Sequence, residues 1–437
     1  MNQTLKKNVI FLKPLILSLL FIHLFVAAFG QNVRTEVAGI PVNYDEDKVG
    51  KYTLPDPLKL LNGEKVENAG EWYDKRRPEI LRMFSEEQFG KSPDRSSASF
   101  KVVEKSAPAF DNTAIRRQVA IYFTDDTTCH KANLLIYLPA DTNNPVPLFL
   151  TISFSPNSLL IDDPGIIKGM MWNREGKRIP VFEGKRLGSL DVSKFLSEGI
   201  GVATIYYGDI EPDFPQGIKY GIRGKFLKAG RNEPEPDEWG AISAWAWGLS
   251  CVMDYLETDM QVDKDKIALY GVSRLGKTVL WAGANDERFG MVIASCSGEG
   301  GAALSRRSYG ETIKHMIDST RYFYQFCANR AKYSEDPGTC PVDAHMLLAL
   351  IAPRPLLLQT GDTDYWSDPK GEFLAAVAAE PVYELLGKKG LGTDIMPEAG
   401  TAILNDMGYF MHSGGHGPLP ADYDVYLDFI KMHFTDQ

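Results

Sequence analysis

A serine, an aspartate and a histidine, each next to a glycine-bounded turn or beyond an apolar run, carry the most specific chemistry in this sequence. Ser273 lies in KIALYGVSRLGKTVLW, residues 266–281. There residues 267–270 read as a buried strand, 271–276 as a tight turn and 277 onward as a helix. Two motifs compete for this stretch. As GxxxxGK[ST], Gly271, Gly276, Lys277 and Thr278 match a phosphate-binding P-loop. As a nucleophile elbow, Ser273 projects from a strand-to-helix turn beside helix N-terminal amides, with Leu275 where the usual GxSxG has its second glycine. On the letters alone the P-loop fits better, and the remainder of the chain decides.

The elements around Ser273 point to a sheet. Residues 147–154 (PLFLTISF) and 201–206 (GVATIY) are near-continuous apolar runs, as parallel strands covered on both faces require. Helical spacing follows at 192–197 and at 239–256, the latter carrying Trp245, Leu249, Val252 and Met253. Further apolar strands are expected at 291–294 and 354–359, and a last helix at 423–433. Alternating segments at 118–123 and 133–137 read as antiparallel strands, and 72–89 as a helix with Trp72, Ile80, Leu81, Phe84 and Phe89 on its packed face. The expectation is an α/β chain with a doubly wound, mostly parallel sheet in a three-layer sandwich, antiparallel at its beginning.

In such a sheet the working groups lie beyond the carboxyl ends of the strands. Asp364 follows the run 354–359 in TGDTDYW, and His416 lies in SGGHG before the last helix. Ser273, Asp364, His416 is the chain order of an α/β-hydrolase triad. A P-loop enzyme needs a magnesium carboxylate and normally carries its loop after the first strand of the domain. Here the motif is mid-chain, so the elbow is the better reading.

Composition sets the outer limits. With 437 residues, 44% hydrophobic and 24% charged, the chain can bury a large core. Lys6, Lys7 and Lys13 precede or enter an apolar run, residues 15–29, that ends in Ala28-Phe29-Gly30. This pattern predicts an export signal over residues 1–30, whose apolar run is shorter than the roughly 20 residues a membrane span needs. Removing those three lysines, with no acidic residue lost, takes the formal charge from −10 to −13. So acidic a mature chain is expected to bind neither nucleic acid nor an anionic membrane, and to be secreted or periplasmic. An N-terminal extension, 31–95, is expected to pack on a catalytic domain, 96–437. Of five cysteines, Cys327 and Cys340 are the most plausible disulfide pair in an oxidising compartment. No two cysteines lie within five residues of each other, which argues against a zinc site.

The run Gly271-Val272-Ser273-Arg274-Leu275-Gly276-Lys277 resembles the GCSRxGK nucleophile motif of the glucuronoyl esterases, carbohydrate esterase family 15, of the bacterial type. Supporting stretches are Trp72 with Arg76-Arg77-Pro78-Glu79, Trp245-Ala246-Trp247-Gly248, Ser297-Gly298 with Gly300-Gly301, Arg307 with Gly310-Glu311, residues 349–355 (ALIAPRP), and Asp364 with Trp366. The resemblance implies an α/β-hydrolase with Ser273 as nucleophile, His416 as base, Arg274 beside the oxyanion, and Lys277, Glu311 and Trp366 holding the sugar. Two positions depart from the family pattern. Val272 replaces a cysteine, and Cys296 stands where many members carry the triad glutamate, so the resemblance leaves Asp364 as the acid.

Ester cleavage needs an activated oxygen nucleophile, a base, a group that orients the base, and donors for the oxyanion. Each candidate also has a plainer reading. Ser273 could be a helix N-cap, Arg274 a surface ion-pair partner and Trp366 a core residue. His412 and His345 are rival bases, read as a loop neighbour and a structural histidine. A His412–His416 metal pair would want helical spacing, and glycines intervene, so no metal and no cofactor are expected. The expected activity is hydrolysis of glucuronoyl or 4-O-methyl-glucuronoyl esters that join xylan to lignin alcohols, by a monomer. Acetylxylan deacetylation, or a catalytically silent carbohydrate-binding relative, is the alternative.

Overall fold

The apolar runs meet as neighbours in one nine-stranded sheet. In the computed structural model, which describes residues 35–435 apart from 96–97, 129–130, 143, 174 and 182–188, the sheet strands are β1 Ser99–Ala109, β2 Ala114–Tyr122, β3 Lys131–Pro139, β4 Val146–Ser153, β5 Gly201–Tyr206, β6 Val262–Val272, β7 Met291–Ser295, β8 Leu356–Gly361 and β9 Met407–His412. Their spatial order is β9-β8-β7-β6-β4-β5-β3-β2-β1. Pairing is parallel from β9 through to β5 and antiparallel from β5 to β1. The expected export signal, residues 1–30, lies outside the described residues. No helix among the described residues is long and apolar enough to cross a membrane.

Alternate residues of β6 divide between two cores, which makes the molecule three layers deep. Ile267 and Leu269 join helices Ala241–Leu256, Arg274–Asn285, Ala344–Ala349 and Pro369–Leu385 on one face. Ala268 and Tyr270 join Val192–Leu196 and Asp422–Phe434 on the other. This is the α/β-hydrolase arrangement, and it places the ends of β6, β7, β8 and β9 side by side.

The N-terminal segment packs on the first of these cores. Arg77 donates to the Ala284 carbonyl at 2.7 Å, and Gln88 to that of Gly300 at 3.0 Å. The expected single helix over 72–89 is a π turn, Trp72–Arg76, followed by an α-helix, Arg77–Glu87. Pro78 has no N–H for the Asp74 carbonyl and its ring crowds that group, so the preceding turn widens. Trp72, Ile80, Phe84 and Phe89 are buried as expected, while Leu81 is only partly covered.

Two expectations are corrected. Cys327 and Cys340 are both free thiols. Cys327 points its sulfur at the Glu86 carbonyl, 3.7 Å away, and burial pushes that thiol up to about 11. Spacing in sequence carries no information about where Cβ atoms point. His412 is not in a loop: it ends β9, a strand the sequence reading missed.

The glycine before the elbow has no space for a side chain. A Cβ on Gly271 would lie 2.3 Å from the Leu275 carbonyl oxygen. Gly271→Ala should therefore lower stability by about 1–3 kcal/mol, read from urea denaturation; an unchanged midpoint would show that the turn yields.

Candidate active site

Ser273 joins β6 to the helix Arg274–Asn285 with φ 59° and ψ −127°, a conformation costing about 1–3 kcal/mol for a residue with a side chain. Two hydrogen bonds hold it there. Its N–H donates to the Ser295 carbonyl at 2.8 Å, and its own carbonyl accepts from the Lys277 N–H at 3.1 Å. The close approach to β7 falls at Gly276, where a Cβ would lie 2.8 Å from the Ser295 carbonyl oxygen. That is why Leu275 can stand in the usual second glycine position: its side chain turns into the core, fully buried.

Asp364 lies on the loop beyond β8, and His416 on the loop beyond β9. The imidazole Nδ1 and the Asp364 Oδ2 are 2.7 Å apart. Burial works to raise the Asp364 carboxyl, but hydrogen bonds from His416, Ser367 and Cys296, with the imidazole's charge, hold it below its ordinary value. An ionised carboxylate only accepts, so Nδ1 carries the proton and Nε2 is left as the basic nitrogen. The two loops are joined at Gly414, whose N–H donates to Asp362 at 2.8 Å and whose carbonyl accepts from the Thr363 N–H at 2.9 Å.

The rival histidines are occupied elsewhere. His412 is buried, with Nδ1 2.7 Å from Asp422 and Nε2 3.1 Å from the Gly415 carbonyl, so it braces the loop that carries His416. His345 is buried with Nε2 2.8 Å from the Pro55 carbonyl. Cys296, just past β7, accepts from the Gly417 N–H at 3.3 Å. Burial first, then the negative charges of Asp364 and Glu372, push its thiol up to about 12. A neutral thiol cannot serve as the triad acid.

All seven residues singled out in the sequence line one cavity of about 250 Å³. Arg274 is no surface partner: it is ion-paired with Asp213 and its guanidinium lies 4.6 Å from the Tyr322 ring centroid. Burial works against its charge, but Asp213 more than compensates, so its pKa is raised further. Asp213 also accepts from Tyr324 and Gln325, each at 2.8 Å. Lys277 Nζ and Glu311 are 3.8 Å apart, both nearly buried, and Glu311 accepts from Arg321 at 2.9 Å. Burial lowers the Lys277 pKa, only partly offset by Glu311. Trp366 is partly exposed, with Arg321 over its ring at 5.1 Å and His315 against it at 5.2 Å.

Several groups here escaped the sequence reading. Asp213, Tyr322, Arg321 and Gln325 belong to segments that carry no recognisable motif. Glu372, in the first turns of helix Pro369–Leu385, accepts from Ser297 Oγ at 3.0 Å and Gly298 N–H at 2.7 Å through one oxygen, while the other has no partner. Burial, added to by the charge of Asp364, pushes its carboxyl up to about 8.

Comparison with known proteins gives a consistent set. A family model described as glucuronyl esterase, fungi, matches residues 192–387. A carbohydrate esterase from an unknown prokaryotic organism is 43% identical over 401 residues, covering 90% of this chain and 92% of its own. The solved glucuronoyl esterase from Solibacter usitatus is 44% identical with a TM-score of 0.85, over 89% of this chain and all of that one. A promiscuous esterase of family CE15 from a marine bacterial metagenome is 42% identical with a TM-score of 0.83, over 90% of this chain and all of its own.

Glu372 gives a signed pH effect. Its folded pKa of about 8 lies above its ordinary value of 4.5, so between these the folded protein keeps a proton that the unfolded chain has released. Stability therefore falls as pH rises through that window and levels off above it. Urea midpoints measured across the window should fall less steeply in Glu372→Gln than in the wild type; identical slopes would show that Glu372 is ionised in the fold.

Proposed function

The chain belongs to carbohydrate esterase family 15, the glucuronoyl esterases, and is a carboxylic ester hydrolase; from that premise we propose that it cleaves the ester joining a glucuronoyl or 4-O-methyl-glucuronoyl side chain of xylan to a lignin alcohol, through a Ser273 acyl-enzyme. One observation carries this reading. The strained serine, the His416–Asp364 pair, Arg274 and the Lys277–Glu311–Trp366 set face a single cavity.

In this mechanism the Ser273 hydroxyl attacks the ester carbonyl while His416 Nε2 takes its proton. Asp364 holds the imidazole in the tautomer that leaves Nε2 basic and stabilises the imidazolium that forms. Arg274, fixed by Asp213 before substrate arrives, places a charged donor near the developing oxyanion, where one donor is worth about 2.7–4 kcal/mol of barrier. The proton on Nε2 passes to the departing alcohol. Water, deprotonated in turn by His416, releases the uronic acid and restores Ser273. Lys277 donates to sugar hydroxyls, Glu311 accepts from them, and Trp366 covers a pyranose face. We assign residues 1–30 to an export signal, 31–95 to an extension and 96–437 to the catalytic domain, and place the enzyme outside the cytoplasm.

Ser273→Ala should abolish hydrolysis of an aryl or alkyl glucuronate ester, and wild type should prefer that ester over acetylated xylan. Full activity in the serine variant would overturn the mechanism, and an acetyl preference the substrate. Arg274→Ala should lower kcat by about 10²–10³. Asp364→Asn should lose most activity while Cys296→Ala keeps most of it; the reverse would move the acid. Mature protein recovered after export should begin at Gln31 by N-terminal sequencing, and an intact Met1 would remove the signal assignment.

A further inference from the structure

The proposed reaction makes no use of the one thiol in the cavity lining. Cys296 lines it together with Asp364 and His416, and Sγ, a carboxylate oxygen and an imidazole nitrogen all lie within 4.8 Å of one another. In a tetrahedral zinc site, with metal–ligand bonds of about 2.0–2.3 Å, ligand atoms stand roughly 3.5 Å apart. The three groups thus need shifts of about an ångström to share one cation. His416 can supply that shift by rotation of its side chain, which is 45% exposed.

We propose that Cys296, Asp364 and His416 form a binding site for one thiophilic divalent cation, Zn²⁺ or Cd²⁺, whose capture switches the hydrolase off. The thiol decides the cation class. An imidazole and a carboxylate alone would hold such an ion weakly, and the thiolate adds strong selection for soft and borderline metals over Mg²⁺ and Ca²⁺. Coordination forms S–metal, N–metal and O–metal bonds, and the Cys296 proton leaves to solvent. Water from the cavity can complete the shell.

The inhibition follows from the tautomer. A cation on Nδ1 replaces the hydrogen bond to Asp364 and forces the ring proton onto Nε2, the nitrogen that must accept the serine proton. Its Lewis charge also opposes formation of the imidazolium. This inhibitory step rests on the proposed role of His416 as base; the binding step does not.

The full chain, stripped of metal, is titrated with Cd²⁺ while thiolate-to-Cd²⁺ charge-transfer absorbance and glucuronate ester hydrolysis are followed together. One equivalent should raise the band as activity falls, and a chelator should reverse both. Loss of an outer-shell partner alone costs about 10- to 100-fold in metal affinity, so Cys296→Ala and Cys296→Ser, each against its own metal-free rate, should need at least that much more Cd²⁺ and lose the band. A band that persists in both variants would place the cation on Cys129, Cys251, Cys327 or Cys340 and overturn the site. Equal inhibition by Mg²⁺, or no band in the wild type, would overturn it as well. A saturated band with full activity would overturn the inhibitory step through His416.

Discussion

The hydrogen bond from the Ser273 N–H to the Ser295 carbonyl, 2.8 Å long, is the contact on which the rest of the site is built. It extends the parallel ladder of β6 and β7 one step beyond the pair Val272–Ser295, at the point where β6 must turn into a helix. Only a left-handed serine keeps that bond while thrusting its hydroxyl away from the sheet. Glycines at 271 and 276 make the turn tight enough, since side chains there would meet the Leu275 and Ser295 carbonyls. The helix that follows then starts with Arg274 and Lys277, three residues apart on one face and at one end. Both therefore reach the same cavity as Ser273.

Two cations so close together in a largely buried site would be costly without partners, because desolvation of a charge takes several kcal/mol even after relaxation. Each is matched by an anion from elsewhere in the chain: Asp213 for Arg274, Glu311 for Lys277. Glu311 is shared with Arg321, which spreads over Tyr322 and Trp366. The result is a set of donors already oriented and already desolvated. That suits an uncharged ester whose negative charge appears only on the way to the transition state.

How much of this could be read from the chain depends on the length scale of each feature. The parallel strands β4, β5 and β8 were legible because burial on both faces demands unbroken apolar runs. β9, MGYFMH, was not: its glycine, methionines and terminal histidine break the β-branched signature, and only its place beside β8 makes it a strand. The triad candidates were legible from their order and their glycines, since the turns they need are local. Asp213 lies 61 residues before Arg274 and no motif connects them, so only the fold reveals that pairing. The P-loop letters show the opposite failure: a match of GxxxxGK[ST] that the backbone uses for a different purpose.

The acid position shows how the fold tolerates a change in its own chemistry. The residues just after β7 and just after β8 both reach the same imidazole, Cys296 through the Gly417 amide beside it and Asp364 directly. With a thiol after β7, the carboxylate that touches the imidazole is that of Asp364. A second negative charge nearby would compete for the same proton and raise the pKa of both. Burial first, and then the charge of Asp364, favour the protonated form of Glu372, one of whose oxygens lacks a partner. In that neutral state it can still accept from Ser297 and Gly298 and fix the turn past β7. The turn past β7 is thus held by the Glu372 carboxyl group, while the carboxylate bonded to the His416 imidazole is that of Asp364.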